Sequence, residues 1–149
     1  MKLKNTSKSL VRILASLTLI VGLTQLTSCG KDPSPSQQDI VKKKLINTIW
    51  KIQSVTVDDV DKTSIYPGLT LQFTATDYNS ANGKPVWPTN GTWAFTSADA
   101  KTITRDDGIE ITVNAADTIL KLTLNWPTST LGGGRVSSIK GVNVFTFTK

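Results

Sequence analysis

The fold is decided by the stretch Leu120-Lys121-Leu122-Thr123-Leu124-Asn125-Trp126, in which apolar and polar residues alternate without a break. A period of two is the pattern of a β-strand that buries one face and leaves the other in solvent. The same alternation occurs at 69–74 and 109–114, where threonine, a residue that favours strands, occupies part of the outward face. The sequence therefore predicts half-buried strands at these places.

Shorter segments and turn residues extend this pattern over the rest of the chain. The further strand candidates lie at 49–57, 77–80, 93–95, 101–105 and 144–148. In the first of them the buried face changes side, which predicts a β-bulge near Gln53 and Ser54. Turn-forming residues separate the strands at Asp58-Asp59, Pro67-Gly68, Asn82-Gly83, Asn90-Gly91 and Asp106-Asp107-Gly108. About eight short strands with turns between them predict an antiparallel, all-β barrel or sandwich.

Large apolar side chains make up the predicted inward face. They are Trp50, Ile52, Leu69, Leu71, Phe73, Trp93, Phe95, Ile109, Ile111, Val113, Leu120, Leu122, Leu124, Phe145 and Phe147. An eight-stranded barrel has room for such side chains or for one small ligand, but not for both in full. We therefore expect a narrow or dry interior. Loops on a rigid barrel often carry function, and residues 126–141 are a candidate binding loop.

Residues 1–28 have the pattern of a signal peptide that is removed from the mature protein. Their charges are four basic residues and no acid, and 13–26 is uncharged and mostly apolar. A membrane-spanning helix needs about 20 apolar residues, so this stretch is short for a stable span and suits a secretion signal.

Most of the net positive charge belongs to this segment. The chain carries 17 basic and 11 acidic residues, a net charge of +6. Without the four basic residues of 1–28, 13 basic residues face 11 acidic ones, and the net charge falls to +2. The run Lys42-Lys43-Lys44 is the pattern of a solvated helix face, and no larger basic cluster indicates nucleic acid. We therefore expect no nucleic-acid partner.

Cys29 is the only cysteine in the chain, and it closes the run Leu26-Thr27-Ser28-Cys29 directly behind the apolar segment. This arrangement resembles the lipobox of bacterial lipoproteins; the alternative is a free cysteine in a globular core. The resemblance implies that a diacylglyceryl group is attached to the Cys29 sulfur, that the chain is cleaved before Cys29, and that the new amine is acylated. Two or more acyl chains anchor a protein stably to a membrane. The implied location is the cell envelope, at the outer membrane by default, on its periplasmic or its outer face.

A flexible tether and a short helix precede the strands. Residues 29–38 contain two prolines and no apolar side chain after the cysteine, which predicts an extended, disordered linker. Ser36 followed by Asp39 predicts a helix cap and a helix over 37–46.

A short helix, a tryptophan early in the first strand and a meander of about eight strands together resemble the small lipocalin-like domains found in lipoproteins of the Bacteroidota. The segments 82–88, 91–95 and 102–108 strengthen the resemblance. It implies an antiparallel, eight-stranded barrel that occupies 39–149. Thr48 stands where lipocalins usually have a glycine, two residues before the tryptophan.

The composition excludes several kinds of catalytic and metal site. The chain has no histidine, which excludes histidine-based triads, histidine metal ligands and imidazole acid–base catalysis. Asp58, Asp59 and Asp61 are either calcium ligands or an ordinary turn. Asp106-Asp107-Gly108 is either a carboxylate pair or a hairpin turn with its glycine at positive φ. We expect turns at both places, and neither an enzyme, a metal site nor a cofactor.

Three further side chains are candidate contacts for a ligand or partner. Trp87 and Trp126 each adjoin a proline, and Arg135 follows a run of three glycines. Trp126 continues the inward face of its strand, which favours the core, whereas Trp87 lies outside any alternation and is equally compatible with the core and the surface. Two hypotheses follow. Either a lipid-anchored binding protein holds a small apolar ligand or a glycan at a barrel mouth, or a packed barrel serves as an envelope protein–protein interaction or inhibitor module.

Overall fold

The computed structural model describes residues 34–129 and 138–149, and the part from Pro35 to Lys149 forms one compact unit. The described residues contain one helix, nine strands and a single 3-10 turn at Thr63–Ile65. The elements are α1 (Gln37–Leu45), β1 (Ile49–Val57), β2 (Val60–Asp61), β3 (Thr70–Phe73), β4 (Asp77–Ala81), β5 (Asn90–Phe95), β6 (Thr102–Arg105), β7 (Glu110–Ala115), β8 (Ile119–Trp126) and β9 (Gly141–Thr148). Among the described residues, no helix is long and apolar enough to cross a bilayer.

The strands form a closed, antiparallel, eight-stranded barrel, which confirms the predicted fold class. β1 and β3 to β9 follow one another around the sheet, and β1 pairs with β9 to close it. β2 is an additional two-residue strand that pairs with the end of β1. The predicted bulge is confirmed, because the register of β1 against β9 shifts between Ile52 and Ser54.

The predicted capping box begins α1. The Asp39 amide donates to the Ser36 hydroxyl, and the Ser36 amide donates to the Asp39 carboxylate, each over 3.1 Å. The hydroxyl and the amide of Ser36 hold the pKa of Asp39 below its usual value. These contacts satisfy amide groups that have no partner within a helix. The helix ends at Leu45, one residue earlier than predicted.

The barrel has two ends with different closures. At the end that we call the helix end, α1 lies against the turns between strands: Gln38 Nε2 donates to the Ser97 carbonyl over 3.0 Å, and Lys44 Nζ lies 3.1 Å from an Asp117 oxygen. At the opposite end, the loop end, lie the β1–β2 turn, the β4–β5 loop, the β6–β7 turn and the β8–β9 connection.

The interior is filled by the predicted inward side chains. All of them are buried except Ile52, Phe95 and Ile109, which are partly buried and pack against the core. Opposite residues of β8 and β9, such as Leu122 and Phe145, share the same face. The core also contains buried residues outside the predicted set, and two of them, Val86 and Trp87, lie at the loop end.

Candidate functional site

The β4–β5 loop closes the loop end with a tryptophan. We call residues 82–89 the plug loop, because its Trp87 is fully buried. The Trp87 ring lies edge-on to Tyr78 and Phe145, with centroid distances of 5.8 and 5.9 Å. The choice between core and surface that its sequence left open is therefore decided in favour of the core.

Backbone contacts hold the plug loop in this position. The Trp87 amide donates to the Gly83 carbonyl over 2.9 Å, and the Ser80 hydroxyl donates to the Trp87 carbonyl over 3.2 Å. A Cβ at Gly83 would lie 2.5 Å from Trp87 Cβ, which is closer than two carbon atoms can approach. Glycine at this position is therefore required for the loop to fold back onto β4.

Arg105 lies beneath the plug loop, on the inward face of β6, and its side chain is 0% exposed. Its Nε and Nη2 donate to the two Asp107 oxygens over 3.1 and 2.5 Å, and its Nη1 donates to the Val86 carbonyl over 2.7 Å. The guanidinium carbon lies 5.0 Å from the centre of the Trp87 ring. A buried charge requires such partners, because desolvation otherwise makes it very unfavourable. The Arg105 side chain therefore links the β6–β7 turn, through its ion pair with Asp107, to the plug loop, through its hydrogen bond to Val86.

The β6–β7 turn combines the predicted hairpin with this ion pair. Gly108 has φ +80°, as a glycine-containing hairpin turn predicts. Burial raises the pKa of Asp107, but the hydrogen bonds from Arg105 and from the Ile109 amide outweigh it, and the pKa lies below its usual value. The sequence analysis missed Arg105. The available signal was its alternation with Ile103, which places both side chains on the inward face of β6.

Two donor groups near Arg105 are buried without a partner. The Tyr78 hydroxyl and Trp87 Nε1 form no hydrogen bond within the described parts of the chain. Burial raises the pKa of Tyr78, the nearby charge of Arg105 lowers it, and Asp106 and Asp107 raise it. Buried polar groups are nearly always paired in folded proteins, so unpaired ones mark places where an unseen ligand or water fits.

Two open clefts lie along β4 and β5. The first, which we call the mouth cleft, has a volume of about 570 Å³, and Ile65, Pro67, Asn82, Gly83 and Lys84 contribute to its walls. The second, the strand cleft, has a volume of about 540 Å³ and is bordered by Asp77, Tyr78, Asn79, Asn90, Thr92 and Asp106. Both clefts are open to solvent, whereas the barrel axis is occupied by side chains.

Of the three aspartates at and near the β1–β2 turn, Asp58 and Asp61 stabilise the fold through hydrogen bonds. Asp58 and Asp59 have positive φ, and the Asp58 carboxylate accepts the Val142 amide over 2.9 Å. The Asp61 carboxylate accepts the hydroxyl and the amide of Thr63, which together hold the pKa of Asp61 below its usual value. No group of three potential metal ligands occurs among residues 34–129 and 138–149.

The remaining predicted site residues have different outcomes. Trp126 is partly buried at the end of β8 and packs against the core, as its alternation favours. Arg135 lies outside the described residues, as do Cys29 and the lipobox residues 26–28. No family model, curated protein or solved structure matches this chain.

Proposed function

We propose that the protein is a lipid-anchored binding protein of the cell envelope that holds its partner on the outside of a packed barrel. The observation that carries this proposal is the burial of Trp87 in the mouth of the barrel. A small apolar ligand inside the barrel would have to displace this ring and its contacts with Tyr78 and Phe145. The two clefts along β4 and β5 require no such displacement, and each is as large as a small-ligand site.

The position of the helix supports an anchored arrangement. The chain enters the barrel domain at Ser36, directly before α1, which lies at the helix end. The mouth cleft and the plug loop lie at the opposite end. An acylated Cys29 on a short tether then holds the domain to a membrane, at the outer membrane by default, through the end opposite to the mouth cleft.

The anchor is tested by replacing Cys29 with serine and measuring how the protein divides between membrane and soluble fractions. We expect the parent to remain with the membrane fraction and to enter detergent, whereas Cys29→Ser appears in the soluble fraction. A serine variant that stays with the membrane to the same extent as the parent would show that another feature holds the protein there.

The binding function is tested on lipidated protein purified from its native host. Native mass spectrometry and cross-linking would detect a partner, and domain released by protease from the same preparation serves as a control for anchor lipids. We expect a partner that cross-links to the plug loop or to β4 and β5. A ligand that remains inside the barrel, with Trp87 displaced, would replace this proposal with a carrier function.

A further inference from the structure

We propose that the helix end of the barrel is a docking surface for a membrane that contains anionic phospholipids. The inference rests on the proposed function, since it states how the anchored domain is oriented: the helix end lies on the lipid headgroups, and the loop end points away from them. It is carried by four lysines of the helix end that form no salt bridge in the described structure. We call them the basic rim: Lys43, Lys51, Lys121 and Lys149.

The charges of the described residues are divided unevenly between the two ends of the barrel. The helix end consists of residues 37–51, 73–77, 95–102, 114–121 and 147–149. Its side chains include seven lysines and four aspartates, a net charge of +3. The other described residues include four basic and six acidic side chains, a net charge of −2. The described domain therefore has a positive helix end and a negative loop end.

The basic rim differs from the other lysines of the helix end in its lack of a counter-ion. Lys44 forms a salt bridge with Asp117, and Lys101 forms one with Asp99. The four rim lysines form none in the described structure, and all four are exposed to solvent. Their charges are therefore available to an anionic surface, to which each lysine near it is attracted.

The strand register places two of the rim lysines beside exposed isoleucines on the outer wall of the barrel. Thr148 of β9 lies opposite Lys51 of β1 on one side and opposite Ile119 of β8 on the other. Ile49 and Lys121 lie two residues further along β1 and β8, so their side chains have the same outward direction. Ile49 is 53% exposed and Ile119 is 47% exposed. Apolar side chains next to lysines suit a lipid interface, where the former enter between the headgroups and the latter contact anionic lipids.

The helix α1 extends this surface across the end of the barrel. The salt bridge between Lys44 and Asp117 brings the last turn of α1 to the β7–β8 turn, two residues before Ile119. Ile40 and Lys43 are both exposed, and residues three apart are neighbours on a helix surface. All exposed isoleucines of the described residues thus lie at the helix end, together with the basic rim.

The length of the tether selects a lipid surface over other anionic partners. Six residues separate Cys29 from the Ser36 cap of α1, and an extended chain spans at most about 3.6 Å per residue. An acylated Cys29 therefore holds Ser36 within about 25 Å of the membrane. Anionic headgroups attract lysines within a Debye length of about 8 Å, which such a short tether brings within reach. The same headgroups repel the negative loop end, so the attraction also determines the orientation.

The test uses the lipidated protein reconstituted into vesicles. One set of vesicles contains phosphatidylcholine alone, and in the other set phosphatidylglycerol replaces part of it. Both sets contain a lipid with a nitroxide on its headgroup, which quenches a fluorophore only at short distance. The fluorophore is attached to Thr118→Cys in the β7–β8 turn or to Asn125→Cys near the other end of β8, both of which replace exposed side chains. The acylated sulfur of Cys29 does not react with the label.

We expect the fluorophore at position 118 to be quenched in the phosphatidylglycerol vesicles at about 0.1 M NaCl. At about 1 M NaCl the quenching should be lost, because the Debye length falls from about 10 to about 3 Å. The fluorophore at position 125 should stay unquenched throughout. Quenching at position 118 that is as strong in phosphatidylcholine alone, or that salt does not change, would overturn the inference, because the tether by itself would then explain it. Equal quenching at both positions would also overturn it.

Two double variants separate the basic rim from the total charge. Lys43→Gln combined with Lys121→Gln removes two rim lysines, whereas Lys84→Gln combined with Lys140→Gln removes two exposed lysines of the loop end. One lysine near an anionic surface strengthens binding about fivefold, so we expect the rim variant to lower the ratio of quenched to unquenched protein about 25-fold. The loop-end variant, which has the same net charge, should leave the ratio unchanged. Equal losses in the two variants would overturn the inference.

Sedimentation of the same vesicles distinguishes this inference from the proposed function. A protein that sediments with the vesicles at about 1 M NaCl is anchored independently of charge. If position 118 of such a protein is never quenched, the docking surface is overturned and the anchored binding protein stands. A protein that leaves the vesicles at about 1 M NaCl would contradict the anchor, on which both proposals rest.

Discussion

Each end of the barrel contains a fully buried tryptophan with a cation beside its ring, but the two tryptophans differ in their hydrogen bonds. At the helix end, Trp50 Nε1 donates to the Leu45 carbonyl over 3.0 Å, and Lys149 Nζ lies 5.3 Å from the ring centre. At the loop end, Arg105 lies 5.0 Å from the centre of the Trp87 ring, but Trp87 Nε1 has no partner in the described structure. The buried tryptophan of the helix end thus has a hydrogen-bond partner, whereas the loop end retains buried polar groups that have none in the described structure.

This difference indicates which end is available for binding. Natural proteins pair their buried polar groups where only stability is required, and they depart from that rule mostly where another molecule is involved. The unpaired groups at the loop end, Trp87 Nε1 and the Tyr78 hydroxyl, are buried on rings that lie edge-on with centroids 5.8 Å apart. We therefore expect a partner to bind at the loop end and not at the helix end.

The tryptophans themselves provide the largest expected effect. Truncation of a fully buried tryptophan to alanine costs about 3–5 kcal/mol, so we expect Trp50→Ala and Trp87→Ala both to be severely destabilised. Replacement by phenylalanine should give a different loss of stability at each of the two positions. Trp50→Phe leaves the Leu45 carbonyl without its donor, and it should cost about 1 kcal/mol more than Trp87→Phe in urea unfolding. An equal cost at both positions would contradict the difference between the two ends.

Two of the salt bridges, one at each end of the barrel, supply the next effect. Asp107→Asn leaves the fully buried charge of Arg105 without its counter-ion, and we expect a loss of about 3 kcal/mol in the free energy of unfolding. Asp117→Asn breaks the exposed pair with Lys44 at the helix end, and the loss should stay below about 1 kcal/mol. Chemical denaturation of both variants measures the two losses. Similar losses in the two variants would show that Arg105 is not isolated from solvent.

The dependence of stability on pH should also differ between the parent and Asp107→Asn. The folded protein holds the pKa of Asp107 below the value of about 3.9 that an unfolded chain has. The carboxylate therefore stabilises the fold fully above about pH 4, and this contribution is lost as the pH falls through the folded pKa. Melting temperatures of the parent and of Asp107→Asn should converge as the solution is acidified. If the difference between the two melting temperatures stays constant down to about pH 2, the ion pair is excluded as its cause.

The smallest expected effect concerns a hydroxyl. Tyr78→Phe removes a buried donor that has no partner in the described structure, so the free energy of unfolding should stay the same or rise by up to about 1 kcal/mol. Urea unfolding of the variant measures this change. A clear loss of stability would mean that a bound water or ligand already pairs the hydroxyl in the isolated protein, and that the loop end is as complete as the helix end.

Much of the barrel could be predicted because period-two patterns are local. The alternation in β8 predicts which side chains point inward, whatever the neighbouring strands are. The pattern of β4 is weak, since one of its inward residues is Ser80 and the contrast between its faces is small. Arg105 was missed although it alternates with Ile103, because a charged residue is not expected on an inward face.

The sequence by itself determined the helix cap, the strands, the bulge, most of the core and the absence of histidine chemistry. Only the tertiary structure decided that Trp87 fills the mouth of the barrel, that Arg105 lies beneath it and that Tyr78 and Asp106 occupy the space that a side chain at Gly91 would need. The physical reason is the range of the interactions. Strand alternation and capping depend on neighbours along the chain, whereas the direction of a loop depends on side chains such as Phe145 that the closed sheet alone brings within reach.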